Sequence, residues 1–252
     1  KDAASSILAS TVVRAALFKT SPTVKFVAPP PLPAEAGNPL AGLSAQDFVF
    51  NYAKTLDPHD AAGGVAKPFP RKKYIETAIE LWLQEPRLAI PKSRQMMVSW
   101  LFITLYLWLA MTTPGALIFF ISKKEDDAGY GNEELSLLSR ARFVYNHLPI
   151  EFQVAHTEGR APPIFGFPKQ HSIIQACSQE ANAVRMYTAT GILWDEAAFH
   201  EKAYDTFAAA KPTIDGGGRI TIVSTPNGNR VQDGGFNLFY ALCHDRQVSE
   251  VS

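Results

Sequence analysis

The chain has 252 residues, 46% of them hydrophobic, which is enough to bury the core of one sizeable α/β domain with an additional segment. Its 24 lysines and arginines balance 24 aspartates and glutamates, so net charge gives no support for nucleic-acid binding outside a local basic patch. The two cysteines, Cys177 and Cys243, lack metal-ligand spacing; they exclude a disulfide framework and predict buried free thiols in a reducing compartment.

The N-terminal part differs in composition from the rest, and no secretory signal peptide is evident in it. Residues 3–18 have an apolar spacing that permits a helix, and the proline-rich run at 28–33 predicts a stiff extended linker. A second helix is predicted over 44–56, with Ser44 as its N-cap. We therefore predict an N-terminal arm over residues 1–66 and a main domain over 67–252.

A dense basic cluster opens the main domain. Residues 67–74 read K-P-F-P-R-K-K-Y, with Phe69 and Tyr74 among the basic residues. Such a cluster can be a platform on which a ring stacks against a base while a cation contacts phosphate. The alternative is a solvated entry to the helix that is predicted to follow over 75–83.

The next segment has the order strand, polar loop, helix, over residues 87–90, 91–99 and 100–111. This order is typical of a phosphate-binding loop, in which backbone N–H groups and a helix N-terminus attract anions. The loop departs from G-x-x-x-x-G-K-[ST], because it has no glycine and a valine precedes Ser99. A lysine, Lys92, stands instead at the start of the loop.

The stretch from residue 95 to 122 contains no charged residue and is long enough to span a bilayer. The sequence T-T-P-G at 112–115 divides it, however, into a helix-length and a strand-length piece. We therefore predict a buried helix, a turn and a buried strand over 116–121, and no membrane-spanning segment.

Strands and helices alternate through the remaining chain, which predicts a mostly parallel sheet with right-handed crossovers. The predicted elements are a long helix over 125–147, a Gly/Pro-rich loop over 159–168, strands over 172–176, 191–194 and 219–223, a helix through residue 211, a tight turn over 215–218 and a final helix over 234–244.

Two adjacent carboxylates follow the strand at 191–194. Asp195 and Glu196 come directly after an apolar run, which is typical of a central strand of a parallel sheet. Ligands bind at the carboxyl ends of such strands, so both carboxylates should lie at the mouth of a site and attract a cation. In a nucleotide hydrolase the first helps to hold Mg²⁺ and the second orients or deprotonates the attacking water. The alternative is an N-capping Asp followed by a first-turn Glu.

A third polar signature, S-T-P-N-G at 224–228, follows the strand at 219–223. The carboxyl ends of parallel strands lie at one edge of a sheet, so the loop at 92–99, the acidic pair and this motif can meet there. Their convergence predicts a phosphate-handling site.

With these three motifs, residues 67–245 resemble the ATPase domain of the large terminase subunit, the motor that packages DNA into tailed-bacteriophage and herpesvirus-type capsids. The D-E-A-A-F run at 195–199 and S-T-P-N-G match the family, and some members carry a deviant loop with its lysine at the start, as Lys92 does. The resemblance implies an ASCE-type P-loop NTPase fold, with a mostly parallel central β-sheet flanked by helices and an N-terminal appendage. It also implies hydrolysis of ATP with Mg²⁺ to translocate double-stranded DNA into a procapsid.

The resemblance also implies roles for individual residues. Lys92 would contact β- and γ-phosphate oxygens, Ser99 and Asp195 would hold Mg²⁺, and Glu196 would position the water. The remaining contacts to nucleotide are assigned to Ser93, Arg94 (a second cation at the γ-phosphate), Gln95, Met96, Met97 and Val98 of the loop, to Phe69 or Tyr74 against adenine, and to Thr225 and Asn227 as γ-phosphate sensors.

Related motors place an arginine just upstream of the acidic strand, where it reaches into the neighbouring subunit's site. Arg185 occupies that position, with Arg140 and Arg142 as rival candidates. Such an arginine supplies on the order of 10³–10⁵ in rate. The alternative for Arg185 is a surface salt bridge.

Further expectations come from the family as a whole. They are a ring, commonly of five subunits, on the capsid's portal protein, a small terminase subunit as partner, and residence in the host cytoplasm during virus assembly. The nuclease domain into which related subunits continue is not represented before Ser252, so we expect no DNA cleavage from this chain. The alternatives left open are a helicase-like ATPase core and a degenerate docking module that has lost hydrolysis.

Overall fold

The computed structural model describes residues 16–17, 39–56, 66–94, 96–131, 135–178, 184, 187–228 and 237–244. The predicted linker at 28–33 lies outside them, as do Gln95 and Arg185.

The strands are β1 Ala16–Leu17, β2 Lys54–Leu56, β3 Ala66–Pro68, β4 Arg87–Pro91, β5 Leu117–Ile121, β6 Thr157–Arg160, β7 Pro163–Phe167, β8 Ser172–Cys177, β9 Gly191–Asp195 and β10 Arg219–Ser224. The helices are α1 Ala45–Asp47, which continues as a π-helical turn over Phe48–Tyr52, α2 Lys73–Gln84, α3 Val98–Thr112, α4 Glu125–Ala128, α5 Leu137–Asn146, α6 Ala203–Asp215 and α7 Leu238–His244; 3₁₀ turns cover Ile150–Phe152, Pro168–Gln170 and Ala197–Phe199.

One eight-stranded sheet forms the centre of the domain, in the order β1-β4-β10-β9-β5-β8-β7-β6. The strands from β4 to β8 pair in parallel, while β1, β7 and β6 join at the edges in antiparallel orientation. The mostly parallel sheet predicted from the alternation of elements is therefore confirmed.

Helices cover both faces of the sheet, because its central strands are apolar on both sides. In β5, Ile118 and Phe120 pack into one core while Phe119 and Ile121 pack into the other. Helix α3 lies against β5, β8, β9 and β10 on the first face, whereas α6 and α7 contact β10 and β4. The helix that follows the phosphate loop is thus fixed beneath the strands that carry the polar motifs.

The start of β9 is fitted closely to α3. The Tyr106 hydroxyl donates to the Ile192 carbonyl at 2.8 Å and lies 3.0 Å from the Thr221 hydroxyl. Its ring passes directly over Gly191, where an added Cβ would lie 2.5 Å from a ring carbon. Glycine is therefore needed at Gly191 because of a close approach, not because of its backbone angles.

Two predicted elements are corrected on the sheet's β6 side. The single helix expected over 125–147 is instead two helices, α4 and α5, because α4 ends at Gly129, whose backbone is not helical, with φ −87° and ψ −122°. The loop expected over 159–168 is part of the antiparallel hairpin β6–β7, which extends the sheet through β8.

The N-terminal region also differs from prediction. Ala16–Leu17 pairs with β4 as a strand, whereas a helix was expected over 3–18, most of which lies outside the described residues. Ser44 caps α1 as predicted, with Asp47 N–H donating to its hydroxyl at 3.0 Å, but the helical segment ends at Tyr52. Phe48 and Val49 pack into the main core, so these residues belong to the same packed body; the boundary at residue 66 stays a prediction.

The long uncharged stretch forms α3 and β5 separated by a turn, as predicted, and α3 has 15 residues. Within the described part of the chain, no helix has the length and apolar content needed to cross a bilayer.

Candidate active site

Three adjacent strands end at the same edge of the sheet. β10 lies between β4 and β9, and it pairs Ser224 with Pro91 and Val223 with Asp195. The Lys92 N–H donates to the Ser224 carbonyl at 3.0 Å, which continues the ladder one residue past β4. The predicted convergence of the phosphate loop, the acidic pair and the S-T-P-N-G motif is therefore present.

Glu196 is the centre of the polar contacts at this edge. Its Oε1 accepts a 2.5 Å bond from Lys92 Nζ. Its Oε2 accepts from the backbone N–H and the hydroxyl of Thr225, at 3.1 and 3.0 Å, and from the Ser224 hydroxyl at 3.3 Å. All three motifs thus meet on one carboxylate.

Asp195 pairs with the helix that follows the phosphate loop. The Ser99 hydroxyl donates to Asp195 Oδ1 at 2.8 Å, and both residues are only 8% exposed. Hydroxyl and carboxylate oxygens are hard donors of the kind that Mg²⁺ takes from proteins. These two side chains therefore fit a magnesium ion between α3 and the end of β9.

The pKa values of the two carboxylates are shifted in opposite directions. Burial by itself raises the pKa of Glu196, but the hydrogen bond and charge of Lys92 together with the Thr225 bonds bring it below its ordinary value. Burial raises the pKa of Asp195, an effect that Lys92 opposes and the neighbouring Glu196 charge reinforces. Glu196 is consequently ionised at neutral pH, while Asp195 lies in a site that favours an added cation.

The phosphate loop turns without glycine. Met97 supplies the left-handed conformation at the helix entry, with φ 58° and ψ 9°, where it caps α3. Val98 is buried in the core, and Met96 packs partly buried against it. The backbone of these residues therefore lines the entry to α3, while the side chains of Met96 and Val98 serve packing.

A cleft of about 370 Å³ opens above the acidic pair. Arg94 reaches it from the phosphate loop as an exposed guanidinium that forms no hydrogen bond or ion pair with the residues described. Lys123, which follows β5, also lines the cleft and pairs with Glu201 at 3.3 Å. The full lining consists of Arg94, Ser122, Lys123, Asp127, Leu135, Leu137, Asp195, Glu196, Phe199 and Thr225.

The two aromatic candidates for adenine lie elsewhere. Phe69 is 3% exposed and packs in the main core, so it offers no ring face to a ligand. The Tyr74 hydroxyl donates to the Met96 carbonyl at 3.3 Å and thereby supports the phosphate loop. Phe69 therefore serves packing, whereas the ring of Tyr74 is partly exposed and its contact with adenine stays a prediction.

The three candidates for an arginine that acts on a neighbouring subunit differ in their surroundings. Arg185 lies outside the described residues, so its role stays a prediction. Arg142 pairs with Glu158 at 3.4 Å and lies over the Tyr130 ring. Arg140 packs over Trp100 with a fully buried Nε, and the role of either rival in a neighbouring subunit stays a prediction.

Ser224 has contacts that the sequence did not reveal. Its hydroxyl accepts from the Ala198 N–H at 3.1 Å, in the 3₁₀ turn that follows the acidic pair. The Ala198 carbonyl accepts from the side-chain amides of Asn227, at 3.2 Å, and Asn237, at 2.5 Å. The S-T-P-N-G motif is therefore bonded to the turn beyond Glu196 as well as to Glu196 itself. Asn237 carries no sequence signal that would have identified it.

The fold and these contacts define a class of protein. A phosphate-loop strand and an acidic strand, separated by one strand in a parallel sheet, are the arrangement of an ASCE-type P-loop NTPase. No known protein-family profile matches the sequence, and no curated protein matches it.

Among solved structures, the chain is similar in fold to the large terminase of bacteriophage HK97, with a TM-score of 0.55 and 13% identity over 73% of this chain and 37% of that one. It also aligns with the large terminase ATPase domain of Thermus phage P74-26, at a TM-score of 0.42 and 19% identity over 58% and 59% of the two chains. The chain thus has the large-terminase fold that the motifs implied, and it spans just over a third of the HK97 protein's length.

Proposed function

We propose that this chain is the ATPase motor domain of a viral large terminase, which hydrolyses ATP with Mg²⁺ to move double-stranded DNA into a procapsid. The observation that carries the proposal is the pair of contacts Lys92–Glu196 and Ser99–Asp195, at 2.5 and 2.8 Å. They support the proposal because they bring a lysine, a hydroxyl–carboxylate pair and an ionised carboxylate together at one edge of the sheet.

Lys92 is the principal cation for phosphate. It is held at the start of the loop by its backbone bond to Ser224, while its flexible side chain can move from Glu196 to phosphate oxygens. Arg94, exposed in the same cleft, supplies a second positive charge. The same proposal includes contacts to the nucleotide from Gln95 and from the loop's backbone N–H groups between Ser93 and Ser99.

Ser99 and Asp195 would hold Mg²⁺, which when bound neutralises charge on the phosphates. Burial keeps the Ser99 hydroxyl and the Asp195 carboxylate in one fixed geometry. Since the raised pKa of Asp195 reflects a carboxylate taken out of water, a cation at that point also relieves the cost of its charge.

Glu196 positions and deprotonates the attacking water. Its lowered pKa keeps it ionised, and Thr225 fixes one of its oxygens through two hydrogen bonds. When Lys92 moves to phosphate, the other oxygen becomes available to the water. Thr225 therefore connects the hydrolytic carboxylate to the S-T-P-N-G segment, and Asn227 connects that segment to Ala198.

Assembly and partners extend the proposal. Arg185 acts in trans in a ring, commonly of five subunits, on the portal protein, with double-stranded DNA and the small terminase subunit as further partners in the host cytoplasm. A second function, a docking module without hydrolysis, is favoured by the absence of glycine from the loop between Lys92 and Ser99.

The decisive experiment measures ATP hydrolysis by the 252-residue chain with Mg²⁺, with and without DNA, at several protein concentrations. We expect turnover that is lost in Glu196→Gln and in Lys92→Ala. Matched controls are Glu80→Gln on exposed α2 and Lys169→Ala at the opposite edge of the sheet, and both should retain turnover.

Two other results would change the phosphate-binding residue or the proposed function. Turnover lost in Glu196→Gln but kept in Lys92→Ala would mean that Arg94 binds the phosphates. A wild-type chain that neither binds nor hydrolyses nucleotide would refute the motor proposal and favour the docking module.

A further inference from the structure

Arg140 is a partly buried cation near the active site for which the reaction as described above has no use. It lies on α5, and its guanidinium carbon is 5.4 Å from the centre of the Trp100 ring. Trp100 directly follows Ser99, whose hydroxyl binds Asp195. The stacking therefore fixes the guanidinium on α3, on the residue that follows Ser99.

The donors of Arg140 are not used by the described residues. Its Nε is fully buried without a hydrogen-bond partner, and no ion pair engages its terminal nitrogens. A buried guanidinium without bonds costs free energy, so a fold that keeps one usually provides a compensating anion. Arg142, two residues along the same helix, differs in that Glu158 neutralises it.

Anionic groups near Arg140 come from the catalytic pair. Burial lowers the pKa of Arg140, while the charges of Asp195 and Glu196 raise it, so the guanidinium lies within the electrostatic reach of both carboxylates. Leu137, one turn earlier on α5, lines the cleft. Leu137 thus brings α5 to the side of the cleft, and Arg140 lies one turn further along the helix.

We propose that Arg140 is a specificity-determining residue that contacts the terminal phosphate of a nucleoside triphosphate from within the same chain, and so distinguishes triphosphate from diphosphate. This inference rests on the proposed nucleotide-binding function. A planar guanidinium held on an aromatic face presents its donors in a fixed fork that matches phosphate oxygens. Because the side chain belongs to the chain that binds the nucleotide, its contribution is independent of ring assembly, unlike that assigned to Arg185.

The test compares the affinities of a non-hydrolysable ATP analogue and of ADP, each with Mg²⁺, by calorimetry on the full chain. In Arg140→Gln the analogue should bind about ten- to a hundredfold more weakly, the range for losing hydrogen bonds to a charged group. The affinity for ADP should change by less than about threefold, and the difference should not depend on protein concentration. Arg142→Gln is the matched control and should leave both affinities unchanged.

Arg140→Lys keeps the charge and part of the packing on Trp100, and it should recover only part of the discrimination, because a lysine lacks the fork. Equal loss of both ligands in Arg140→Gln, with a lowered melting temperature, would mean that Arg140 only holds α5 on α3 and would overturn the inference. Unchanged discrimination in Arg140→Gln would overturn it as well, while leaving the motor function standing. Failure of the wild-type chain to bind either nucleotide would refute both.

Discussion

Replacing Gly191 with alanine tests the packing that positions the acidic strand. The new Cβ would lie 2.5, 3.2 and 3.3 Å from its nearest neighbours, the first two of which are atoms of the Tyr106 ring. The ring is 0% exposed and its hydroxyl is fixed by Ile192 and Thr221, so it cannot move away without losing those bonds.

The expected cost follows from these contacts. Overpacking of a buried site costs about 1–3 kcal/mol, and each of the two hydrogen bonds that a displaced ring loses costs about 0.5–1.5 kcal/mol. Gly191→Ala should therefore lower the free energy of unfolding by about 2–6 kcal/mol, measured by urea denaturation. Gly115→Ala is the matched control, since open space surrounds its Cβ and only its φ of +70° opposes the change. We expect a cost there of about 1–2 kcal/mol.

The double variant Tyr106→Leu, Gly191→Ala tests whether the Tyr106 ring is what requires glycine at this position. Tyr106→Leu removes the ring, so Gly191→Ala should cost less in that background than in the wild type, giving a non-additive cycle. If the two changes are additive, or if Gly191→Ala costs no more than Gly115→Ala, the ring contact is not what requires glycine.

Three further predictions concern the site itself. Ser99→Ala should raise the Mg²⁺ concentration needed for half-maximal hydrolysis by about tenfold or more, because one of two metal-binding oxygens is lost; an unchanged requirement would exclude Ser99 as a ligand. Thr225→Val removes one bond to Glu196 but keeps the backbone bond, so kcat should fall by about three- to tenfold with nucleotide affinity unchanged; a change in affinity alone would contradict the coupling role. The lowered pKa of Glu196 means that its ionised form stabilises the folded chain above its ordinary value of 4.5, and that this stabilisation is lost as pH falls through the lowered value. The stability difference between wild type and Glu196→Gln in urea should therefore shrink towards pH 3, and a difference that is constant with pH would refute the assignment.

The site could be predicted from the sequence where its polar residues directly follow an apolar strand. Asp195, Glu196 and Ser224 each follow an apolar strand, and parallel pairing alone brings those ends together. Local patterns do not record contacts between distant residues, however. The helix expected from residue 125 ends early, at the non-helical Gly129, and the segment expected as a loop pairs with β8 through β7.

The same limit applies to the residues that the sequence placed wrongly or missed. Phe69 stands in a basic cluster that is typical of a ligand platform, yet its ring packs in the core. The stacking of Arg140 on Trp100, 40 residues away in sequence, is a contact that no local pattern revealed. Burial depends on which helices pack together, and α3 and α5 become neighbours only in the folded chain.

Two residues at the mouth of the cleft set a limit on how this chain can vary. Met97 and Glu196 both have left-handed backbone conformations, with φ of 58° and 53°, although neither is glycine. A β-branched residue at either position would be excluded by sterics, whereas glycine or asparagine would fit the backbone readily. In the segment that we propose as the phosphate loop, the turn for which many such loops use glycine is formed by methionine. Sequence searches for proteins with such a loop should therefore test which side chains each left-handed position can accept, and should not require glycine there.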